Sequence, residues 1–505
     1  MGALAGIQTG AKTVARSAEG LSGPVLARLA GLAGDELQHH QGKGWSVWAG
    51  EPAERGWSGL IQADATGGFA VWGDRLRSSG PPPEAPAVLA DPLPLVAWCR
   101  QGFARYCGAL WTPQRLFLWT DDDAGCPLFF NRAPAFASEA KALLGLVPGY
   151  AGKVLGADGS RPLPAVGESV FGGVEAVPAA GLVILEPAVS GGDAASGKWR
   201  VVEVKRHGPS LPAAQAVDLD AAAEAVALAL EAAVERLVGD AREVAVSLSG
   251  GVDSSAVAAL AARRVERLHT FTVGSPFGDE FEQAREVAEW LGSEHRELMM
   301  LPEDLESLLD ELLWGLETWD PLTLQIAAPA AYLYRRVGSE HPLFLTGYGA
   351  DLVFAGAVDT NLEEERLEAL IRHQVELTVP TNEMAPAFAR RSGVVVRYPY
   401  WVPEVKDLGL SLRARLKVRE GEVKFVLRRA VERFLPPEVA WRRKVGIHQG
   451  SSMGALFAEV LGSDSMTGQA QILRRRFLAL FERRIAPVSG VAAVAAEAQF
   501  SEDSP

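Results

Sequence analysis

Cysteine is scarce in this chain. Cys99, Cys107 and Cys126 are the only three in 505 residues, and no two of them form a C-x-x-C pair. That spacing argues against both a disulfide framework and a structural zinc site, and it suits a reducing compartment. Long apolar runs are missing as well: nothing reaches the ~18–20 uninterrupted apolar residues of a membrane span. The first segment, MGALAGIQTGAKTVARS, has no apolar core of signal-peptide length, and Gly6 stands where a myristoylation signal needs Ser or Thr. The reading is therefore a cytoplasmic protein with no membrane partner. Positive charge is in deficit, with 49 Lys and Arg against 63 Asp and Glu and a formal charge of −14. A nucleic-acid partner would call for a basic face, so that class is set aside. There is no internal repeat and no long charge run. Oligomeric state is not legible, and a homo-oligomer stays open.

What is present is an ordinary globular composition, 48% hydrophobic and 22% charged, on a chain too long for one core. Two domains are expected, 1–207 and 208–505. The first carries short strand-like runs broken by Gly and Pro, clearest at Trp45–Ala49, Phe69–Trp72, Arg115–Trp119 and Leu182–Leu185. Residues 78–89 and 190–197 read as surface loops. LFLWTDDDAGCPLFF (116–130) is a strand, an acidic turn and a second strand; FASEAKALLGL (136–146) reads as a short helix with Ser138 as its N-cap. His39 and His40 lack a third ligand at useful spacing and read as surface residues.

The second domain opens with DLDAAAEAVALALEAAVERLV, an amphipathic helix. EVAVSLSGGVDSSAVAAL (243–260) follows as a buried strand from Val244 to Leu248, a glycine turn, and a helix opening at Asp253 or Ser254. A turn through Ser249, Gly250 and Gly251 can point several N–H groups into one concavity beside a helix N-terminus, which binds anions. No Lys follows the glycines, so this is not a Walker A loop. Asp253 at the lip of a phosphate site makes sense as a ligand of phosphate-bound Mg²⁺. LHTFTV (268–273) reads as a second buried strand, with helices at Phe277–Glu289, Pro302–Leu316 and Ala327–Arg336. PLFLTGYGADLVFAG (342–356) is a third strand whose turn carries Gly347, Tyr348 and Gly349 before Asp351. Asp253 and Asp351 together form a candidate Mg²⁺ pair. EGEVKFVLRRAV (420–431) reads as an amphipathic helix with Lys424 and Arg428 on one face, and WRRKVGIHQGSS (441–452) as a basic, then Gly-rich, segment.

S-x-S-G-G-x-D-S-S after a buried strand resembles the pyrophosphate loop of the ATP pyrophosphatase superfamily, whose members adenylate a substrate. The 116–146 region is similar to the glutaminase-type domain of asparagine synthetases, but the N-terminal Cys nucleophile of that domain is not found, the first Cys being Cys99. SLSGGVDSS, LTGYGAD, NEMAP, KFVLR and K-x-G-I-H-x-G-S-S resemble, in order and spacing, the β-lactam synthetase branch of the asparagine synthetase superfamily. NEMAP is closer to the clavam type, WRRKVGIH and GSS to the carbapenam type, and Gln449 departs from the Glu of relatives.

The resemblance implies an α/β chain: an Ntn-type glutaminase-like sandwich followed by a doubly wound parallel-sheet ATP-pyrophosphatase domain. It implies ATP and Mg²⁺ as cofactors and a β-amino acid as substrate. Ser247, Ser249, Gly250, Gly251, Asp253, Ser254, Ser255, Val273, Gly347 and Lys424 would bind the nucleotide, and Asp253 and Asp351 the metal. Tyr348 with Glu383 would take the amine proton, and Lys444 would stabilise the oxyanion. The expected activity is β-lactam formation through an acyl-adenylate. An intermolecular amide ligase using ammonia or another amine and a non-catalytic nucleotide-binding scaffold stand as alternatives. The substrate pocket is expected between Trp319 and Leu333, with its specificity unassigned.

Overall fold

The computed structural model describes residues 4–8, 37–42, 45–50, 57–64, 66–76, 81–84, 89, 91–132, 135–144, 163, 167–188, 199–207, 217–381, 389, 391–442 and 452–489. Up to Arg206 the chain builds two six-stranded antiparallel sheets. Their facing sides share one core, in which Trp45, Val47 and Phe136 of one sheet meet Trp72, Trp111 and Leu118 of the other. Alternation does the sorting: on strand Gly68–Arg75, Ala70 and Trp72 point between the sheets while Phe69 and Val71 point out. The outward set is covered by helix Leu93–Gly102 through Leu95, Val96 and Cys99. The other face of the first sheet packs Phe129, Ala135 and Ala137 against Leu309, Leu313 and Phe477 from the rest of the chain.

From Leu219 the pattern changes to helix and parallel strand. Helix Leu219–Val238 is capped by Asp218, which accepts from Ala221 N–H at 2.9 Å, an interaction worth about 1 kcal/mol. It buries Ala223, Val226, Ala227, Leu230, Val234 and Leu237, spaced three or four apart. The sheet beside it is fully parallel, in the spatial order Glu294–Met299, Arg267–Gly274, Glu243–Ser247, Leu343–Thr346, Val395–Arg397. In chain order that is 3-2-1-4-5, a doubly wound sheet whose direction of growth reverses between strands Glu243–Ser247 and Leu343–Thr346. Loops leaving the carboxyl ends of those two strands diverge and open a crevice, the usual ligand position in such sheets. No helix is long and apolar enough to cross a membrane among the described residues.

Several local expectations are corrected. The helix expected at Phe277–Glu289 starts at Phe281 and ends at Leu291, because Ser275 and Gly278 exchange backbone hydrogen bonds in a tight turn first. The helix expected at Ala327–Arg336 starts at Pro321, capped by Asp320 on Thr323 N–H, and runs through Pro329 to Val337. Ser138 is not an N-cap: Ala135–Ala137 is a strand, Ser138 Oγ accepts from Leu4 N–H, and the helix begins at Lys141, described as Lys141–Leu144. Lys424 lies outside the helix, which is Phe425–Val431, in left-handed backbone at φ 57°. Strands Glu294–Met299 and Val395–Arg397 had no counterpart in the sequence reading.

The two sheets and the parallel sheet are joined by buried charge. Asp74, fully buried, receives a bidentate pair from Arg397 at 2.9 and 2.8 Å, and Arg397 also donates to Leu237 O. Breaking a buried pair from one side leaves an uncompensated charge, so Asp74→Ala should cost about 3–5 kcal/mol of unfolding free energy. Urea titration checks this. The double variant Asp74→Leu/Arg397→Met should recover much of that loss, and equal stability of single and double variants would contradict the pairing.

Candidate functional site

The glycine turn leaves strand Glu243–Ser247 at the switch point and becomes helix Val252–Ala262, capped by Gly251. Its shape is held from inside and outside. Ser249 N–H donates to Ser254 Oγ at 3.0 Å, and the two hydroxyls lie 3.1 Å apart. Gly250 has φ 73°, and a Cβ there would run into the Gln283 backbone, so only glycine fits. From outside, Arg442 donates to Gly250 O at 3.0 Å and Gln283 O at 3.1 Å and pairs with Glu286 at 2.6 Å. Thr272 Oγ1 donates to Leu248 O, and the Tyr400 hydroxyl to Asp253 O at 3.2 Å. Sequence reading missed Arg442, Thr272 and Tyr400, since each acts on backbone and leaves no motif.

The second loop leaves strand Leu343–Thr346 next door. Gly347 abuts the first loop so closely that a Cβ would lie 2.7 Å from Ser254 N. Asp351 sits in the first turn of the short helix Ala350–Val353. The two loops meet on Lys424. Its side chain is completely buried, and its ammonium bonds Asp253 and lies 2.6 Å from Asp351 Oδ1. Burial opposes its charge, but the two carboxylates outweigh that and raise its pKa, so Lys424 stays cationic. Gly356 makes the arrangement possible, because a Cβ there would overlap Asp351 Oδ1 and Lys424 Cε. Arg428, also buried, turns away to the carbonyls of Val423, Ala440 and Arg442 and braces the chain behind the lysine. Glu280, beside the glycine turn, is pushed up to about 7 by burial, with Arg442 pulling the other way.

Asp253 and Asp351 keep 20% and 35% of their side chains exposed, so both carboxylates reach the crevice, with Oδ2 of Asp253 on the lysine and its Oδ1 buried. Among the described residues no cluster of three or more His, Cys, Asp or Glu could hold a metal. A pair of carboxylates is a set that could hold Mg²⁺, which takes one or two from protein and fills its shell with phosphate oxygens and water.

Of the expected site residues, Ser249, Gly250, Gly251, Asp253, Ser254, Gly347, Asp351 and Lys424 gather in this crevice. Ser255 is buried in the helix behind the turn. Ser247 ends its strand in register with Phe271, and Val273 stands two residues further along the neighbouring strand. Tyr348 lies on the second loop, its ring 5.7 Å from Tyr398 and 6.1 Å from Trp401. Glu383 and Lys444, with Gln449, lie outside the described residues. His40 belongs to strand Leu37–Gly42, its ring 6.4 Å from that of Trp111.

Residues 225–374 and 363–486 match the family model for asparagine synthase. The chain is similar to the carboxyethyl-arginine beta-lactam-synthase of Streptomyces clavuligerus, 33% identical over 76% of this chain and 72% of that one. It is 28% identical to the glutamine-hydrolyzing asparagine synthetase B of Escherichia coli, over 46% of each chain. A solved NH3-dependent NAD synthetase from Campylobacter jejuni overlaps 33% of this chain and 77% of its own at 17% identity, with a TM-score of 0.21, too low to bear on the fold.

Gly356→Ala tests the crevice. By dislodging Asp351 and Lys424 it should weaken Mg·ATP binding, read by calorimetry, by about two orders of magnitude, the scale of losing preorganised charge. Its melting temperature should fall as well, because a buried lysine loses part of its pairing, so affinity is read well below the melting range. Unchanged affinity would mean that the nucleotide does not use this lysine–carboxylate group.

Proposed function

The chain belongs to the asparagine synthase family, and from that premise we propose that it closes a β-lactam ring from a β-amino acid. Family membership makes it an ATP-dependent amide-forming ligase. The observation that carries the nucleotide half is the convergence of Asp253 and Asp351, from two different loops, on Lys424 beside the glycine turn.

A free β-amino acid does not cyclise, because its carboxylate is a poor electrophile and its amine is protonated. The carboxylate oxygen attacks the α-phosphorus of ATP, the bond to the β-phosphate bridge breaks, and pyrophosphate leaves. The N–H groups from Ser249 to Ser255 would hold that pyrophosphate, and Lys424 would face the phosphates. Asp253 and Asp351 would hold Mg²⁺, which when bound supplies positive charge to the polyphosphate.

The amine nitrogen then attacks the acyl carbon, the C–O bond to AMP breaks, and the nitrogen loses a proton. Once the ammonium has lost its first proton to solvent, Tyr348 is the proposed acceptor of the second, its own phenolic proton passing to Glu383. An unperturbed phenol titrates near 10, close to an ammonium, so the transfer is nearly balanced. Lys444 is proposed to stabilise the oxyanion. A four-membered ring is strained, so holding the chain folded for attack matters greatly. The aromatic walls beside Tyr348 suit that task.

The N-terminal sheets are proposed to be a glutaminase-like domain, 1–207, retained as a fold, with the synthetase domain at 208–505. All three cysteines are buried and none is in a disulfide, so none is presented as a nucleophile. The similarity to asparagine synthetases supports a second reading, transfer of free ammonia to an activated carboxylate.

One assay separates the readings. The protein is incubated with Mg·ATP, ammonium and a panel of N-substituted β-alanines including carboxyethyl-arginine. Ring closure gives pyrophosphate and a product lighter by one water; the ammonia ligase gives substrate plus ammonia minus water; no pyrophosphate with any substrate would refute both and leave the nucleotide-binding scaffold. Lys444→Ala should abolish ring formation while leaving most ATP binding. Turnover within about tenfold of wild type would remove the oxyanion role. Glu383→Gln should slow cyclisation more than adenylation in single-turnover quench. Equal rates of cyclisation would remove Glu383 from the dyad.

A further inference from the structure

Two side chains that face each other across the antiparallel ladder of the N-terminal sheet, Asp74 and Arg105, both reach into the end of strand Val395–Arg397. Asp74 holds Arg397. Arg105, 93% buried, donates to Val396 O and lays its guanidinium over the Tyr398 ring at 4.7 Å. Tyr398 in turn meets Tyr348 edge to face, with centroids 5.7 Å apart and planes at 72°.

A second arm starts in the acidic turn. Asp121 is buried and accepts N–H groups from Tyr106, Asp123, Gly125 and Cys126, which fixes the turn. Asp123 then bonds Lys406, a lysine almost wholly buried and kept cationic because Asp123 outweighs the cost of burial. The Lys406 ammonium lies 5.9 Å from the Trp401 ring, which is the other neighbour of Tyr348. Two glycines make room: a Cβ on Gly125 would lie 2.8 Å from Arg105 Cδ, and one on Gly349 would lie 2.5 Å from Trp401 Cε3.

We propose that the N-terminal sheets position the synthetase site, with Arg105 through Tyr398 and Asp123 through Lys406 and Trp401 fixing the ring of Tyr348. The inference rests on the reading of Tyr348 as the proton acceptor in ring closure. Arg105 and Asp123 are positioning residues: each sets a cation over an aromatic ring, and both rings neighbour the tyrosine. Cation–aromatic contacts gain strength when desolvated, as both are here. This gives the acidic turn and its glycine a task in the present chain: they set two cations that belong to the walls of a distant pocket. Another cation would replace Arg105 only in part, since its planar guanidinium stacks on Tyr398 while donating to a carbonyl.

The test uses the full chain and the first β-amino acid of the panel above that supports turnover. Pyrophosphate release and ring closure are resolved by rapid quench for Arg105→Met and Arg105→Lys, each also placed in a Tyr348→Phe background. Arg105→Met should slow ring closure about tenfold, with pyrophosphate release and the KM for ATP changed by no more than about twofold, a shift near 1.4 kcal/mol confined to one step. Arg105→Lys should recover part of the rate, and Arg105→Met should add nothing to Tyr348→Phe. Equal slowing of both steps, or the same tenfold loss in the Tyr348→Phe background, overturns the proposal. If Arg105→Met does not fold, Tyr398→Leu leaves the N-terminal sheets intact and carries the same expectation; unchanged ring closure in it overturns the proposal. Normal ring closure in Tyr348→Phe would instead refute the proton-acceptor reading, whereas loss in Tyr348→Phe with none in Arg105→Met refutes the positioning role alone.

Discussion

A buried lysine between two carboxylates is the constraint on which the site depends. Lys424 has no exposed surface, and without Asp253 and Asp351 its charge would be several kcal/mol too costly to bury. Without Lys424, the two carboxylates would repel each other across the crevice. The three residues therefore hold two loops and a third segment in one geometry before any ligand arrives. Gly356, Gly347 and Gly250 are consequences of that closeness, each standing where a Cβ would strike a neighbour. Arg442 and Arg428 complete it by tying the glycine turn and the following chain to backbone carbonyls.

The sheet order explains how residues about a hundred positions apart meet. Strands Glu243–Ser247 and Leu343–Thr346 pair in parallel, and the sheet grows away from them in opposite directions. Both loops then leave the same edge at the same point, so a turn rich in Gly and Ser and a turn carrying Asp351 become two walls of one crevice. Tyr348 lies on the second wall, where the chemistry of the acyl group is proposed to be decided. The wall behind it is built partly from residues of the N-terminal sheets, so nucleotide handling and aromatic positioning draw on different parts of the chain.

Much of the crevice was legible in the sequence because its parts are local. A buried apolar strand, a Ser/Gly turn and an acid at a helix start occupy eleven consecutive residues from Glu243 to Asp253. What escaped is long-range or conformationally unusual. Lys424 read as helical because its neighbours have helical spacing, yet it takes left-handed backbone to reach the carboxylates. Strand Glu294–Met299 is an edge strand with Glu294, Arg296 and Glu297 exposed, so its composition hides it. Thr272, Tyr400 and Arg442 bond carbonyls, and a carbonyl leaves no mark in a sequence. Arg105 and Asp123 were unreadable because their partners lie about 290 residues away.

The central claim is that this crevice activates a carboxylate by adenylation so that an amine of the same molecule displaces AMP. The most direct measurement follows oxygen. A β-amino acid substrate labelled with ¹⁸O in both carboxylate positions is turned over with Mg·ATP, and the products are weighed by mass spectrometry. The account predicts one labelled oxygen in AMP, one in a cyclic product, and none in pyrophosphate. Label in inorganic phosphate with ADP, or AMP free of label, would contradict it.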